Sequence, residues 1–219
     1  MMHRASGANG RLFFRACIFA LLVALASAAP SEAAGEPIRL LGTVEFRSPL
    51  KDFPKWMRVV NLEKKSPTFT AERVVTSKEK WTDLKARWGG LPYLEQLKAV
   101  NAYFNQWPYR LDMDNWGVPD YWATPEEFIK KSGDCEDYAI TKYYALRALG
   151  VPADKLRILV VMNTIRNEGH AVLAAYTDND VLILDNMSNL LLSHTRCGHY
   201  RLQMSLNENH RWAHVPVKK

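Results

Sequence analysis

The sequence predicts an α+β domain, with helices in the first part of the chain and an antiparallel sheet in the second. Between about residues 49 and 149, apolar side chains recur three and four residues apart, which is the spacing of amphipathic helices. After Pro152 the pattern changes to short runs of aliphatic and β-branched residues bounded by turn signals. Because helices and strands are segregated rather than alternating, the strands are expected to pair antiparallel with one another.

Residues 1–28 have the pattern of a secretory signal peptide. Three arginines precede an apolar run at residues 16–25, and small residues follow it at 26–29. This is the order of charged region, apolar region and cleavage site in exported proteins. The apolar run is shorter than the roughly 20 residues of a membrane-spanning helix, although an uncleaved anchor is the alternative. We expect cleavage near Ala28 and one mature domain at residues 36–219.

The net charge does not indicate a nucleic-acid partner. The whole chain of 219 residues carries a formal charge of +6. Residues 1–28 contribute three arginines and no acid, so their removal lowers the charge to +3. Such a small excess is ordinary for a globular domain, and we therefore expect no nucleic-acid binding.

Start and stop signals define four helices in the first part of the mature chain. Ser48-Pro49 predicts the start of the first, because proline fits the first helical position. Ser77 is expected to cap the second, which Gly89-Gly90 ends. Pro92 begins the third, and the capping box at residues 124–127 begins the fourth.

An aromatic loop, residues 107–122, separates the third and fourth helices and has few periodic positions. A loop of this length in a compact domain is often functional. We expect its aromatic side chains to serve packing more than substrate recognition.

A fifth helix begins after Gly133-Asp134 and ends before Gly150, with Cys135 in its first turn. Apolar positions follow Cys135 at spacings of four, four and three residues and form one stripe with it. Cys135 should therefore face the structure on which this helix packs. The positions are Ala139, Tyr143 and Leu146.

The strand pattern brings a histidine and an acid together. His170 begins one predicted strand, and Asp185 ends the next, with a tight turn at residues 177–180 between them. In an antiparallel hairpin the start of one strand lies beside the end of the next, so the two side chains can be near neighbours. The predicted strands are residues 156–161, 170–176, 181–185, 200–206 and 212–215.

Cys135, His170 and Asp185 have the residue types of a nucleophilic triad. The N–H groups at a helix start favour a thiolate, and an imidazole can take the thiol proton. An acid beside the imidazole fixes its tautomer and stabilises its charged form. The Cys135 N–H can also help to hold an oxyanion. The second oxyanion donor is left open among Asn105, Trp107 and Trp122.

Three carboxylates surround the cysteine, at Asp134, Glu136 and Asp137. Negative charge raises the pKa of a thiol, so these neighbours oppose activation of Cys135 unless a cation offsets them. Oxygen ligands in such a cluster suit Ca²⁺, and the turn at residues 178–180 could add a carbonyl or carboxylate ligand. Acids also favour helix N-termini for electrostatic reasons alone, which is the simpler explanation of the cluster.

Six stretches carry a resemblance to a known family. They are VNAYFN at 100–105, DYWATPEEF at 120–128, GDCEDY at 133–138, LRALGV at 146–151, GHAVL at 169–173 and LDN at 184–186. In these stretches the sequence resembles the bacterial transglutaminase-like cysteine proteinases, specifically the LapG-type periplasmic adhesin proteases. The resemblance extends from about Gly42 to Tyr200.

The resemblance implies a papain-like or transglutaminase-like core and a calcium-dependent periplasmic endopeptidase. Its substrate would be the N-terminal region of a large surface adhesin, cleaved at consecutive alanines so that the adhesin is released and the biofilm disperses. An inner-membrane receptor for cyclic di-GMP would sequester the enzyme. The matched positions make Cys135 the nucleophile, His170 the base and Asp185 the orienting acid. The implied calcium ligands are Asp134, Glu136 and Asp137.

Two other functions stay open from the sequence. A transglutaminase or amidase would use the same triad with a different acyl acceptor or substrate. A non-enzymatic calcium-binding domain would instead join Cys135 to Cys197 in a disulfide, as the expected oxidising compartment allows.

Overall fold

The computed structural model describes residues 38–217. The predicted signal peptide, residues 1–28, lies outside the described residues. The described chain forms six α-helices and nine β-strands. The helices are α1 (Pro54–Lys65), α2 (Trp81–Trp88), α3 (Tyr93–Phe104), α4 (Asp112–Trp116), α5 (Pro125–Lys131) and α6 (Cys135–Ala148). The strands are β1 (Thr43–Ser48), β2 (Val74–Thr76), β3 (Glu79–Lys80), β4 (Leu156–Asn163), β5 (Glu168–Tyr176), β6 (Val181–Asp185), β7 (Ser188–Ser193), β8 (Tyr200–Leu206) and β9 (Arg211–Pro216).

Seven strands form one sheet in the order β1-β9-β8-β4-β5-β6-β7, and each neighbouring pair is antiparallel. The strands β2 and β3 form a separate small hairpin. The six helices precede strands β4 to β9 in the chain. Strand β1 comes before the helices and forms one edge of the main sheet by pairing with β9. The predicted α+β class is confirmed.

Helix α6 lies at the centre of the domain rather than on its surface. Ten consecutive residues, 137–146, are buried, so the helix is covered on all sides and not along one stripe. It packs on β4 and β5 and is flanked by α3 and α5. Its core cluster includes Tyr143, Ile158 and Leu173.

The other face of the sheet has its own apolar cluster. Successive residues of a strand point to opposite faces, and β4 accordingly sends Ile158 to the α6 side and Leu159 to the other. The second cluster includes Val172 and Cys197 and is covered by the short turns at Leu40–Gly42 and His194–Arg196. No helix within residues 38–217 combines the length and the apolar character needed to cross a bilayer.

Some predicted helix starts were wrong. The first helix begins at Pro54 instead of Ser48-Pro49, because Leu50–Asp52 forms a separate 3₁₀ turn. Ser77 does not cap α2; it lies in the turn between β2 and β3, and Asp83 accepts a hydrogen bond from the Lys80 N–H at the helix start. The aromatic loop contains α4, which the sequence analysis missed.

Candidate active site

The start of α6 is built by a sharp turn and a reciprocal cap. Ser132 has φ 64°, and Gly133 then passes close to the side chain of Asp137. A Cβ at Gly133 would lie 1.9 Å from Asp137 Oδ2, so only glycine fits this position. Asp137 Oδ2 accepts from the Asp134 N–H at 3.3 Å, and Oδ1 accepts from the Ala123 N–H at 2.7 Å. Asp137 thus ties the helix start to the segment before α5.

Cys135 lies in an open cleft of about 400 Å³ that His170 also lines. The thiol donates to Glu136 Oε2 at 3.3 Å. Burial raises the pKa of the Cys135 thiol well above its ordinary value, and the charges of Glu136 and Asp134 raise it further. A hydrogen bond from the Ala171 N–H lowers the thiol pKa, but its effect is smaller than the effects of burial and of the two acids. With these neighbours alone, the thiol is protonated.

His170 and Asp185 are brought together across the β5–β6 hairpin. Leu173 pairs with Leu184, so Asp185 is diagonal to His170 at the end where the hairpin opens. The imidazole Nε2 lies 3.0 Å from Asp185 Oδ1, and both side chains are buried. Because Nε2 faces a carboxylate, it carries the proton, and Nδ1 is the nitrogen free to accept one.

Asp185 is held as a carboxylate. Its burial favours the neutral form, but the hydrogen bond and charge of His170 outweigh that effect and lower the pKa of the carboxyl. The Met187 N–H donates to Oδ1 at 3.0 Å, and the Tyr200 hydroxyl donates to Oδ2. Tyr200 is a site residue that the sequence reasoning missed. Its position depends on the pairing of β8 with β4, for which the sequence carries no local signal.

The acidic cluster is larger than the three residues beside Cys135. Asp112 from α4 approaches Asp134 and Asp137, and Asp112 and Asp120 approach Glu136, with oxygen atoms of each group within 4.8 Å of one another. The Asp112 carboxylate also accepts from the Tyr121 N–H. Both acids lie in the aromatic loop, whose length suggested a function, although its aromatic side chains were expected to serve packing; the sequence pattern gave no reason to select these two acids.

Two oxygens of this cluster, Asp112 Oδ1 and Asp134 Oδ1, are buried and have no hydrogen-bond partner among the described residues. Burial raises the pKa of the Asp134 carboxyl to about 9, and the interaction with Glu136 adds to the effect. Burial also raises the pKa values of Glu136 and Asp112. Buried carboxylates without donors are costly, so this arrangement fits a hard cation bound by oxygen.

The turn at residues 178–180 lies elsewhere, and its expected contribution to a metal site was wrong. It is at the far end of the β5–β6 hairpin from His170. Asp178 pairs with Lys155 at 3.6 Å, and Asp180 accepts from Ser193. Each strand residue advances the chain by about 3.3 Å, so the six residues of β5 at 171–176 separate this turn from His170 by roughly 20 Å.

The three proposed oxyanion donors differ in placement. Trp122 lines the cleft beside Cys135. The Asn105 amide instead donates to the Asp185 carbonyl at 2.9 Å, and Trp107 packs against Phe104 and Phe128 in the core. Trp122 is therefore the one candidate of the three that lies in the cleft.

The two cysteines in the described part of the chain are free thiols. Cys197 is buried in the cluster on the second face of the sheet, and its thiol points to the Ser193 carbonyl at 3.6 Å. Cys135 lies in the cleft at the start of α6. This separation argues against the disulfide of the non-enzymatic alternative.

Comparison with known proteins agrees with this architecture. The sequence profile of the bacterial transglutaminase-like cysteine proteinases (BTLCP) matches residues 63–219. No curated protein sequence matches the chain significantly. Legionella pneumophila LapG is similar in structure, with 32% identity, a TM-score of 0.57, and coverage of 72% of this chain and 86% of LapG. Its calcium-bound form matches with a TM-score of 0.58, 32% identity, and coverage of 72% and 86%. The EGTA-treated form matches with a TM-score of 0.57, 32% identity, and coverage of 72% and 84%. The chain belongs to the bacterial transglutaminase-like cysteine proteinase family.

Proposed function

We propose that the protein is a periplasmic, calcium-dependent cysteine endopeptidase in which Cys135, His170 and Asp185 form the catalytic triad. The observation that carries this proposal is the shared cleft: the thiol at the start of α6 and the imidazole paired with Asp185 line the same cavity. Membership of a cysteine proteinase family supports peptide hydrolysis over other acyl transfer.

The mechanism follows from the orientation of the imidazole. Asp185 holds Nε2–H, so Nδ1 takes the proton of Cys135, and the thiolate attacks the peptide carbonyl. The imidazolium then returns this proton to the leaving amine, and water hydrolyses the thioester. In this proposal the N–H of Cys135 and a second donor from the cleft wall stabilise the oxyanion, and Trp122, which lines the cleft, is the candidate for the second donor.

The acidic cluster is the proposed calcium site. Asp134 and Asp112 offer buried oxygens without donors, and Glu136 and Asp120 lie within reach. Asp137, assigned as a ligand from the sequence, already accepts two backbone N–H groups and chiefly fixes the helix start. Bound calcium would supply positive charge beside the nucleophile, where Asp134 and Glu136 otherwise raise the thiol pKa. The likeness to a calcium-bound LapG supports this assignment.

The proposed substrate is the N-terminal region of a large surface adhesin, cut at consecutive alanines to release the adhesin and disperse the biofilm, under the control of an inner-membrane cyclic di-GMP receptor. The sequence resemblance and the likeness to LapG support this role. The cleft is open to solvent, as a peptide segment within a larger protein requires.

The test is cleavage of a purified adhesin N-terminal fragment, followed by mass spectrometry of the products. Wild-type protein and the matched control Cys197→Ala should cleave in calcium and stop in excess chelator, and Cys135→Ala should not cleave. Fragments whose summed mass exceeds the mass of the uncut substrate by one water per cut indicate hydrolysis. Crosslinks or deamidated glutamine would instead indicate the transglutaminase alternative. Full cleavage by Cys135→Ala would refute the proposal.

A further inference from the structure

A buried lysine lies beneath the candidate active site and has no part in the mechanism above. Lys142 is on α6, seven residues or about two turns after Cys135, and its side chain is 0% exposed. Burying an ammonium group is costly unless the group is well paired. Its one hydrogen bond within the described chain is to Asn101 Oδ1, at 2.7 Å. Burial lowers the pKa of Lys142 to about 7, and Asp185 opposes that shift.

Asn101 connects this lysine to the turn that carries Asp185. While its Oδ1 accepts from Lys142, its Nδ2 donates to the Ser188 carbonyl at 2.8 Å. Asn105, the residue directly after the end of α3, donates to the same carbonyl at 3.1 Å and to the Asp185 carbonyl at 2.9 Å. Two amides, one on α3 and one at its C-terminal cap, therefore hold both ends of the turn between β6 and β7.

The chemistry of the pair sets the direction of the Asn101 amide. An asparagine side chain has an acceptor on one side and a donor on the other, and the two can exchange by a flip. A protonated lysine only donates, so it selects the orientation in which Oδ1 faces Lys142 and Nδ2 faces Ser188. An apolar residue in place of Lys142 would remove that selection.

We propose that Lys142 and Asn101 are positioning residues for the triad: Lys142 orients the Asn101 amide, which, with Asn105, holds the Asp185–Ser188 turn so that the Asp185 carboxylate stays against His170. The proposal rests on the assignment of Asp185 as the orienting acid. It adds a role for a buried ionisable group that touches neither substrate nor the reacting atoms.

Two variants test this link. Lys142→Met keeps the approximate length of the side chain and removes the donor. Asn101→Asp keeps an acceptor for Lys142 and removes the donor to Ser188. Each variant should lower kcat about ten- to a hundredfold with little change in KM, because misplacement by about an ångström has effects of that size on rate. Thr141→Val is the matched control, since it removes a buried hydroxyl on the same helix that has no partner in the described chain; its kcat should match the wild type.

Two readouts separate positioning from folding and from the proposed function itself. The low-field proton NMR signal of His170 Nε2–H, measured without substrate, should shift or broaden in both variants and persist in Thr141→Val. Thermal unfolding should show Lys142→Met to be at least as stable as the wild type, because methionine removes a buried charge. Unchanged kcat and an unchanged proton signal in Asn101→Asp would overturn the proposal. An inactive wild type that keeps the signal would instead count against the proposed function alone.

Discussion

Replacing Tyr200 with phenylalanine removes a single hydroxyl from the candidate site and leaves the ring in place. That hydroxyl donates to Asp185 Oδ2, and both residues are at least 92% buried, with exposed fractions of 5% and 8%. After the substitution, Oδ1 keeps its bonds to His170 and Met187, whereas Oδ2 keeps no partner among the described residues. The change therefore strands one oxygen of a buried carboxylate.

The expected cost follows from the charge on the acceptor. A hydrogen bond to a charged group contributes about 1.5–3 kcal/mol, so Tyr200→Phe should lower the free energy of unfolding by about 2 kcal/mol at pH 7. For a domain of this size, that corresponds to a fall in Tm of roughly 4–8 °C. The cost should depend on pH. The pKa of Asp185 is lowered in the folded state, so its stabilising contribution is present above its unfolded pKa and is lost as the pH falls through the folded pKa.

The assay is urea unfolding of the wild type and the variant at pH 7 and again well below about pH 4, under the lowered folded pKa of Asp185, where the carboxyl is protonated in both states. Tyr144→Phe is the matched control, because the Tyr144 hydroxyl is buried and has no partner in the described chain. Its removal should leave stability unchanged or slightly higher. The reasoning is refuted if Tyr200→Phe costs no more than Tyr144→Phe, or if its cost is the same at both pH values.

Three further predictions concern the helix start, the acidic cluster and the second face of the sheet. Gly133→Ala would place a methyl group 1.9 Å from Asp137 Oδ2 and should destabilise the fold by about 1–3 kcal/mol in urea unfolding, whereas Gly198→Ala, which meets nothing within 4 Å, should be neutral. Asp112→Asn should weaken calcium binding roughly tenfold or more, seen as a smaller rise in Tm on adding calcium; an undiminished rise would remove Asp112 from the metal site. Burial lowers the pKa of His214 to about 4, so its contribution is complete above about pH 6.5 and is lost as the pH falls toward 4. Between pH 7 and 4, the free energy of unfolding of His214→Gln should therefore fall by up to roughly 3 kcal/mol less than that of the wild type. Equal falls in the two proteins would contradict the lowered pKa of His214.

The predictions that agree with the structure are those that depend on short stretches of chain. Capping signals place the starts of α3 and α5 at Pro92 and Thr124, and the boundaries of β6 and β8 match the predicted strands. Two edge strands, β1 and β7, were missed. The exposed side chains of β1 and the polar ends of β7 lack the buried alternation by which a strand is recognised.

The face of β5 that packs against α6 differs from the one predicted from the sequence. Alternation along this strand puts His170, Val172 and Ala174 on one face, which the sequence predicts to be the inward face. In the structure Val172 and Ala174 belong to the cluster on the second face, and Leu173 packs toward α6. Because β5 is buried on both sides, alternation alone cannot identify the face that meets the helix.

The sequence by itself determined the α+β class, the cysteine at a helix start and the proximity of His170 to Asp185. Each depends on local periodicity, on capping or on a hairpin in which His170 and Asp185 are 15 positions apart, so neighbouring residues carry the signal. Only the tertiary structure decided that Asp112 joins Asp134, that Tyr200 reaches Asp185 and that Lys142 meets Asn101. These contacts join elements that are distant in the sequence, so they depend on how α3, α4, α6 and the sheet pack together, which no local pattern specifies.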